Sequence, residues 1–282
     1  MMKQNDRDSL SNSFTKAGFS QGDTASVFTG IAKLRADEKN FSDYFEGNWA
    51  TAFVKSECFY VIIAQAVSAY DNYLSSLSEE RTKDKHSTLK ALAELHRRAS
   101  QQYLEILTLI KNGFPDGAFA RWRSMYELSV ISSFIHKYGE AVAAKFIEAS
   151  GSQDRYDWAM ECGEFSEHKK HVTFGDILKL CDMDADVWRE NYTVANQTVH
   201  ASPQGTFGRL GVRDGSESFS QRGGYGISAP AISSANTLAL ISSMLFSIFP
   251  EEKTMEKMSL AAKWLDELTE TYCDIHEKLF DD

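Results

Sequence analysis

Apolar residues recur every three to four positions along much of the chain, which is the spacing of one helical face. The clearest stretch runs from Ser87 to Ile110 and is followed by Asn112-Gly113, a typical helix end. Pro115 then stands where a helix start tolerates a missing N–H. The pattern predicts two consecutive helices joined by a tight turn. The face of the first consists of Leu89, Leu92, Ala93, His96, Ala99, Tyr103, Ile106, Leu107 and Ile110.

The second of these helices, at residues 116–137, is apolar nearly all round, which predicts a position at the centre of the fold. No alternation of strand and helix patterns is present, so a parallel sheet is not indicated. The chain is therefore predicted to be all-α, a single helical-bundle domain of about eight to ten helices. Further helices are predicted at about 23–46, 49–77, 140–162, 174–181, 184–200, 229–249 and 252–280.

Two segments fall outside the helical pattern. Residues 1–22 are polar and are predicted to be a frayed N-terminal segment before a helical domain at 23–282, with its core at 50–250. Residues 203–227 are rich in glycine and lack helical periodicity, which predicts a long loop. Long loops in compact domains are usually functional or disordered.

Composition narrows the classes of function. Of the 282 residues, 43% are hydrophobic and 25% are charged, which is typical of a globular protein. The formal net charge of −10 argues against a broad DNA-binding surface. The four cysteines are widely spaced with no CxxC pair, so they are predicted to be reduced thiols.

The start of the chain, MMKQNDRDSLSNSF, lacks the apolar stretch of a secretory signal, which predicts a cytoplasmic protein. The charge-free stretch from Gly223 to Pro250 contains many serines among small residues. A spanning helix needs about 20 predominantly apolar residues, so a buried helix is predicted here and no membrane partner is expected.

Arg123 and Glu127 form the first candidate site. At about 100° per residue, both fall in one sector of their helix, on an apolar stripe with Phe119, Val130 and Phe134. Because isolated buried charges are costly, the pair must bond each other, bond another helix or line a polar pocket. Both a structural ion pair and a functional site with catalytic Arg123 and Glu127 remain open.

The second candidate site is the run from Tyr192 to Ser202. Tyr192, Asn196 and His200 are four residues apart and share a helix face. Histidine at a helix end suits proton transfer near neutral pH, so His200 is the candidate catalytic residue. Tyr192, Asn196 and Ser202 are candidate binding residues, and Arg209 in the glycine-rich loop is a candidate phosphate contact.

No cofactor or metal site is predicted. Cys162, His168 and His171 match no defined zinc spacing and lie in a charged sequence typical of a solvated segment. The chain contains no G-x-S-x-G elbow, Walker-type loop, H-E-x-x-H motif or dinucleotide-binding glycine fingerprint.

The central segment FPDGAFARWRSMYELSVISSFI and the later VHASP resemble an uncharacterised bacterial family catalogued as domain of unknown function 5677. The likeness spans roughly residues 50–250, and the positions that match its pattern are Gly113, Arg123, Glu127 and His200. The resemblance implies a helical bacterial protein with a role in phage defence or toxin–antitoxin systems, related to the HEPN superfamily of nucleases.

Two functions are predicted as alternatives. In the first, a defence- or toxin-associated domain binds RNA or a nucleotide in a polar pocket and cleaves RNA as a ribonuclease. In the second, the chain is a non-catalytic accessory or antitoxin-like subunit that binds a protein partner or a second copy of itself. Both hypotheses use the same polar residues, as a pocket in one case and as helix packing in the other.

Overall fold

A computed structural model describes residues 4–153, 155–166, 168–181, 183, 185–200, 203–208 and 222–280. Within these ranges the chain forms twelve α-helices and no strand, which confirms the all-α prediction. The helices are α1 Gln4–Lys16, α2 Gln21–Asn48, α3 Ala50–Ser76, α4 Glu79–Thr82, α5 His86–Lys111, α6 Pro115–Tyr138, α7 Glu140–Glu148, α8 Phe174–Leu180, α9 Ala185–Val199, α10 Pro203–Phe207, α11 Ser228–Phe246 and α12 Glu252–Phe280.

The predicted number of eight to ten helices is too low, because the pattern missed three elements. Helices α4 and α10 contain only four and five residues, too few to show a helical period. Helix α10 lies at the start of the segment 203–227 that was predicted to be a loop. Helix α1 lies in the segment predicted to be frayed.

The N-terminal helix is supported almost entirely by its neighbour α2. The Phe14 ring lies 5.2 Å from that of Phe19 and 6.0 Å from that of Phe28, and Arg7 lies over the Phe28 ring. Ser20 and Asp23 form a capping box that starts α2. Because this small cluster contains few apolar residues, no periodic signal separates α1 from a disordered segment.

Helices α5, α6 and α11 form the centre of the core. The predicted face of α5 is buried or partly buried along its length, and α6 is buried on several sides, as predicted for a central helix. The fully buried Trp122 of α6 donates its indole N–H to Thr237 Oγ1 of α11 at 3.0 Å. This hydrogen bond satisfies a polar group that would otherwise be costly to bury.

Helices α3 and α12 form a second packed pair beside this core. Ser56 Oγ and Tyr272 OH lie 3.0 Å apart across the pair, and Trp264 Nε1 donates to the backbone oxygen of Lys55 at 2.8 Å. Tyr103 of α5 donates to the backbone oxygen of Ser56 at 3.0 Å. These buried hydroxyls and the indole fix α3 against both α12 and α5.

Two helices, Ala50–Ser76 and Ser228–Phe246, are long and apolar enough to cross a membrane by length and composition alone. This is weak evidence, because core helices of soluble proteins pass the same test. In α11 the hydroxyls of Ser234, Thr237 and Ser242 each donate to a backbone oxygen of the same helix. The serine-rich helix thus packs into the core with these polar groups satisfied.

Buried His96 on α5 gives folding stability a predictable pH dependence. Its side chain is 4% exposed, and its Nε2 lies 2.9 Å from Ser242 Oγ. Burial, with a smaller effect of the Arg97 charge, lowers the pKa of His96 from 6.5 to about 4. Between these two values the unfolded chain binds a proton that the folded chain does not, so stability falls as pH falls.

We expect the free energy of unfolding to drop by about 2–3 kcal/mol from His96 alone between about pH 7 and about pH 4.5. Urea unfolding at several pH values measures this slope. A His96→Gln variant removes the titrating group and should show a shallower slope over this interval. Equal slopes for the two proteins would contradict the assignment.

Candidate functional site

Arg123 and Glu127 lie one turn apart on α6 and form an ion pair. The Arg123 Nη2 atom is 3.1 Å from Glu127 Oε1. The side chains are 28% and 16% exposed, so the pair is neither fully buried nor fully solvated. It therefore borders solvent on the apolar stripe that the sequence predicted.

Helix α9 contributes the opposite wall of the site. Arg123 Nε donates to Asn196 Oδ1 at 2.5 Å, and the guanidinium carbon lies 5.6 Å from the centre of the Tyr192 ring. The structure thus brings together Arg123, Glu127, Tyr192 and Asn196 from two separate stretches of sequence. A guanidinium has five N–H groups, and these contacts engage two of them, which leaves three without a hydrogen-bond partner among the described residues.

The predicted catalytic histidine lies apart from this contact. His200 follows the last residue of α9, and its backbone N–H donates to the backbone oxygen of Asn196 at 3.2 Å. The His200 side chain is exposed. This side chain, unlike the backbone N–H, forms no hydrogen bond or ion pair with Arg123, Glu127 or Asn196. His200 is four residues from Asn196, which is about 6 Å along the helix axis. Ser202 and Arg209 lie outside the described residues.

Three partly buried rings lie beside the Arg123–Glu127 pair. We call Tyr156, Phe174 and Tyr192 the aromatic row. The Phe174 ring centre is 6.3 Å from each of the other two rings, and it stacks on Tyr192 at an interplanar angle of 26°. The guanidinium carbon of Arg155 lies 5.6 Å from the Tyr156 ring centre. Arg155 and Arg123 therefore each lie over one ring of the aromatic row.

The aromatic row is anchored by the irregular segment between α7 and α8. Asp157 accepts from the backbone N–H of Val172 at 2.9 Å, and its other oxygen lies 3.0 Å from His171 Nδ1. Thr173 and Asp176 form a capping box at the start of α8. These contacts hold Tyr156 and Phe174 near each other. His171, considered above as a metal ligand, is thus paired with a carboxylate.

The phenols of Tyr126 and Tyr156 remain protonated near neutral pH. Burial raises the pKa of Tyr156, and the nearby negative charge of Glu127 raises it further. Burial likewise raises the pKa of Tyr126 to about 12; its ring lies 5.0 Å from that of Tyr192. These groups supply neutral hydroxyls and ring surface, and they are poor candidates for a general base.

A partly exposed guanidinium next to aromatic rings is a combination that suits a phosphate attached to a planar base. Residues 89–171 match the model of a family described as a family of unknown function (DUF5677). Residues 89–171 therefore correspond to a DUF5677 domain. No curated protein and no solved structure matches the chain.

The DUF5677 domain covers part of the site only. The match is narrower than the predicted span of 50–250, and it contains Gly113, Arg123, Glu127 and Tyr156 but not His200. Helix α9, with Tyr192 and Asn196, lies beyond it in sequence and packs against its central helix α6. The site is therefore formed where the DUF5677 domain meets the segment that follows it.

Proposed function

We propose that this chain is a bacterial defence- or toxin-associated helical domain that binds RNA or a nucleotide. The observation that carries the proposal is the Arg123 guanidinium, held by Glu127 and Asn196 and placed over the Tyr192 ring. A pre-oriented arginine with unused donors is well suited to a phosphate. The association with defence or toxin systems and with the HEPN superfamily rests on the resemblance.

The aromatic row and its two flanking cations favour a single-stranded ligand. Base stacking on aromatic side chains contributes about 1–3 kcal/mol per base and tolerates any sequence. Arg155 and Arg123 each lie over a ring of the row, where phosphates attached to stacked bases would lie. The net charge of −10 favours recognition by this local group of residues over recognition by a broad basic surface.

We further propose ribonuclease activity in a cytoplasmic setting, with His200 as the proton-transfer residue. Arg123 neutralises charge on the phosphate, and Glu127 orients Arg123 through their ion pair. General acid–base groups typically contribute about 10²–10⁴-fold to a rate. We therefore expect His200→Ala to reduce cleavage of a single-stranded RNA by at least about 100-fold while RNA binding is retained.

A gel-based assay with purified protein and a labelled RNA tests this expectation. His86→Ala is the matched control, because His86 is also exposed and lies at the start of α5. It should cleave like the wild type. Equal rates for His200→Ala and the wild type would remove His200 from the mechanism, and a wild type that neither binds nor cleaves RNA would overturn the proposed function.

Under the alternative function, an accessory subunit, exposed apolar side chains of the N-terminal segment would contact the partner. Leu10, Phe19 and Leu34 are 38%, 44% and 42% exposed. Under this alternative, replacing the three residues with serine abolishes complex formation in size-exclusion chromatography and leaves RNA binding unchanged.

A further inference from the structure

A cavity of about 560 Å³ lies between α5, α7 and the irregular segment that follows α7. Cavities of about 300–1,000 Å³ are typical of small-molecule sites. The Arg123–Glu127 pair and helix α9 contribute nothing to its described lining, so it is separate from the site above. Its walls include Lys90, Ala91, Phe146, Ala149, Gln153 and Trp158.

Contacts of Trp158 hold two of these walls together. The Trp158 ring meets the Phe146 ring of α7 edge to face, with the ring centres 4.9 Å apart, and Trp158 is only 8% exposed. Its indole N–H donates to the backbone oxygen of Arg155 at 3.2 Å. The irregular segment is thereby tied to α7, and a ligand would meet walls that are already in place.

The cavity has a surplus of positive charge. Lys90 on α5 and Arg155 in the irregular segment both line it, and both are exposed. Neither side chain forms a hydrogen bond or an ion pair with another described residue, although Arg155 lies over the Tyr156 ring. The carboxylate of Glu94, which also lines the cavity, is paired with Arg97. Two cations thus remain available to an anion, in a chain whose net charge is −10.

We propose that this cavity binds a phosphate monoester that carries an apolar group. A phosphate monoester has a charge of about −1.5 to −2 near neutral pH, which complements the charges of Lys90 and Arg155. A guanidinium donates to two phosphate oxygens at once, and an ammonium acts as a point charge. The exposed amide of Gln153 adds a hydrogen-bond donor. The apolar group packs against the wall formed by Phe146, which removes apolar surface from water.

Calorimetric titration with phenyl phosphate, inorganic phosphate, phenylacetate and benzyl alcohol tests both parts of this ligand. We expect phenyl phosphate to bind at least about tenfold more tightly than the other three, because only it joins a dianion to an apolar group. Equal affinity for inorganic phosphate would show that the apolar walls take no part. Equal affinity for phenylacetate or benzyl alcohol would show that the phosphate is not recognised. Either result, or a wild type that does not bind phenyl phosphate, would overturn the proposal.

Lys90→Gln tests the charge in a variant that should fold, because the side chain is exposed. We expect it to weaken binding of phenyl phosphate by about tenfold or more, since a charge-assisted contact is lost. Lys145→Gln is the matched control, because Lys145 is exposed on α7, is paired with Glu148 and does not line the cavity. It should bind like the wild type. Unchanged affinity in Lys90→Gln, or equal losses in the two variants, would overturn the proposal.

Ala149→Phe tests the cavity itself, because the added ring should occupy it. We expect phenyl phosphate to bind at least about tenfold more weakly to this variant. Ala141→Phe is the matched control, since Ala141 is exposed on α7 and does not line the cavity. Circular dichroism establishes that both variants are folded. Normal binding of phenyl phosphate to a folded Ala149→Phe protein would show that the ligand does not enter the cavity.

The proposal and the proposed function can fail separately. Lys90 takes no part in the contact between α6 and α9, so Lys90→Gln should leave RNA affinity unchanged while it weakens binding of phenyl phosphate. A wild type that binds RNA but not phenyl phosphate would overturn this inference alone. A wild type that binds phenyl phosphate in the cavity but does not bind RNA would support this inference and overturn the proposed function.

Discussion

Replacing Trp122 with alanine is expected to lower the free energy of unfolding by about 3–5 kcal/mol, the largest effect of any single change considered. Trp122 is a fully buried residue of α6. Its ring lies 6.0 Å from Phe119, 5.8 Å from Tyr126 and 6.0 Å from Trp188. Removing it leaves a cavity at the centre of the core, lined by side chains that cannot all move to fill it.

Urea unfolding followed by circular dichroism measures this change. Thr237→Val is the companion variant, because it keeps the indole but removes the oxygen that accepts its N–H. Leaving that donor buried without a partner should cost about 1–3 kcal/mol. A Trp122→Ala protein within about 1 kcal/mol of the wild type would show that α6 is not central to the core.

Gly113→Ala is expected to lower the free energy of unfolding by about 2–4 kcal/mol. Gly113 ends α5 with φ of +75°, a conformation that side chains other than glycine rarely adopt. A Cβ atom there would lie 2.2 Å from Cζ of the Phe41 ring on α2. Backbone strain and steric overlap with Phe41 therefore act together at the α5–α6 turn.

Gly163→Ala separates these two causes. Gly163 also has φ of +75°, but an added Cβ would meet nothing within 4 Å. Gly163→Ala should lower the free energy of unfolding by about 1 kcal/mol, because it adds backbone strain alone. In the double variant Phe41→Ala/Gly113→Ala the overlap is absent, so its loss of stability should be smaller than the sum of the two single losses. If the two losses of stability are additive, steric overlap with Phe41 does not contribute to the effect of Gly113→Ala.

The parts of the fold that follow a helical period could be predicted from the sequence. The face of α5, the central position of α6 and the turn at Gly113 come from local spacing and from punctuation by glycine and proline. The same spacing aligned Arg123 with Glu127, and Tyr192 with Asn196. Each of these features depends on residues about one helical turn apart.

The remaining parts of the site depend on contacts between distant residues. Tyr156 lies in an irregular segment, and no pattern links it to Phe174 or Tyr192. The helix predicted at 140–162 ends at Glu148, so Arg155 lies in an irregular segment and has no helical register. The charged residues around His171 predicted a solvated segment, and His171 is exposed, but its pairing with Asp157 could not be predicted from the sequence. Only the folded chain shows that these groups meet.

Equilibrium binding of a short 5′-labelled single-stranded RNA measures whether Arg123 forms a phosphate-binding site with the aromatic row. Fluorescence anisotropy compares the wild type with Arg123→Gln and with the matched control Arg121→Gln. Arg121 is on the same helix and is paired with Glu105 of α5, away from the aromatic row.

We expect Arg123→Gln to weaken RNA binding by about tenfold or more, because a charge-assisted hydrogen bond contributes about 1.5–3 kcal/mol. Arg121→Gln should remain within about twofold of the wild type, because surface ion pairs contribute little. Thermal unfolding of both variants establishes that they are folded. Unchanged RNA affinity in a folded Arg123→Gln protein, or equal losses in the two variants, would show that Arg123 does not bind the phosphate of RNA.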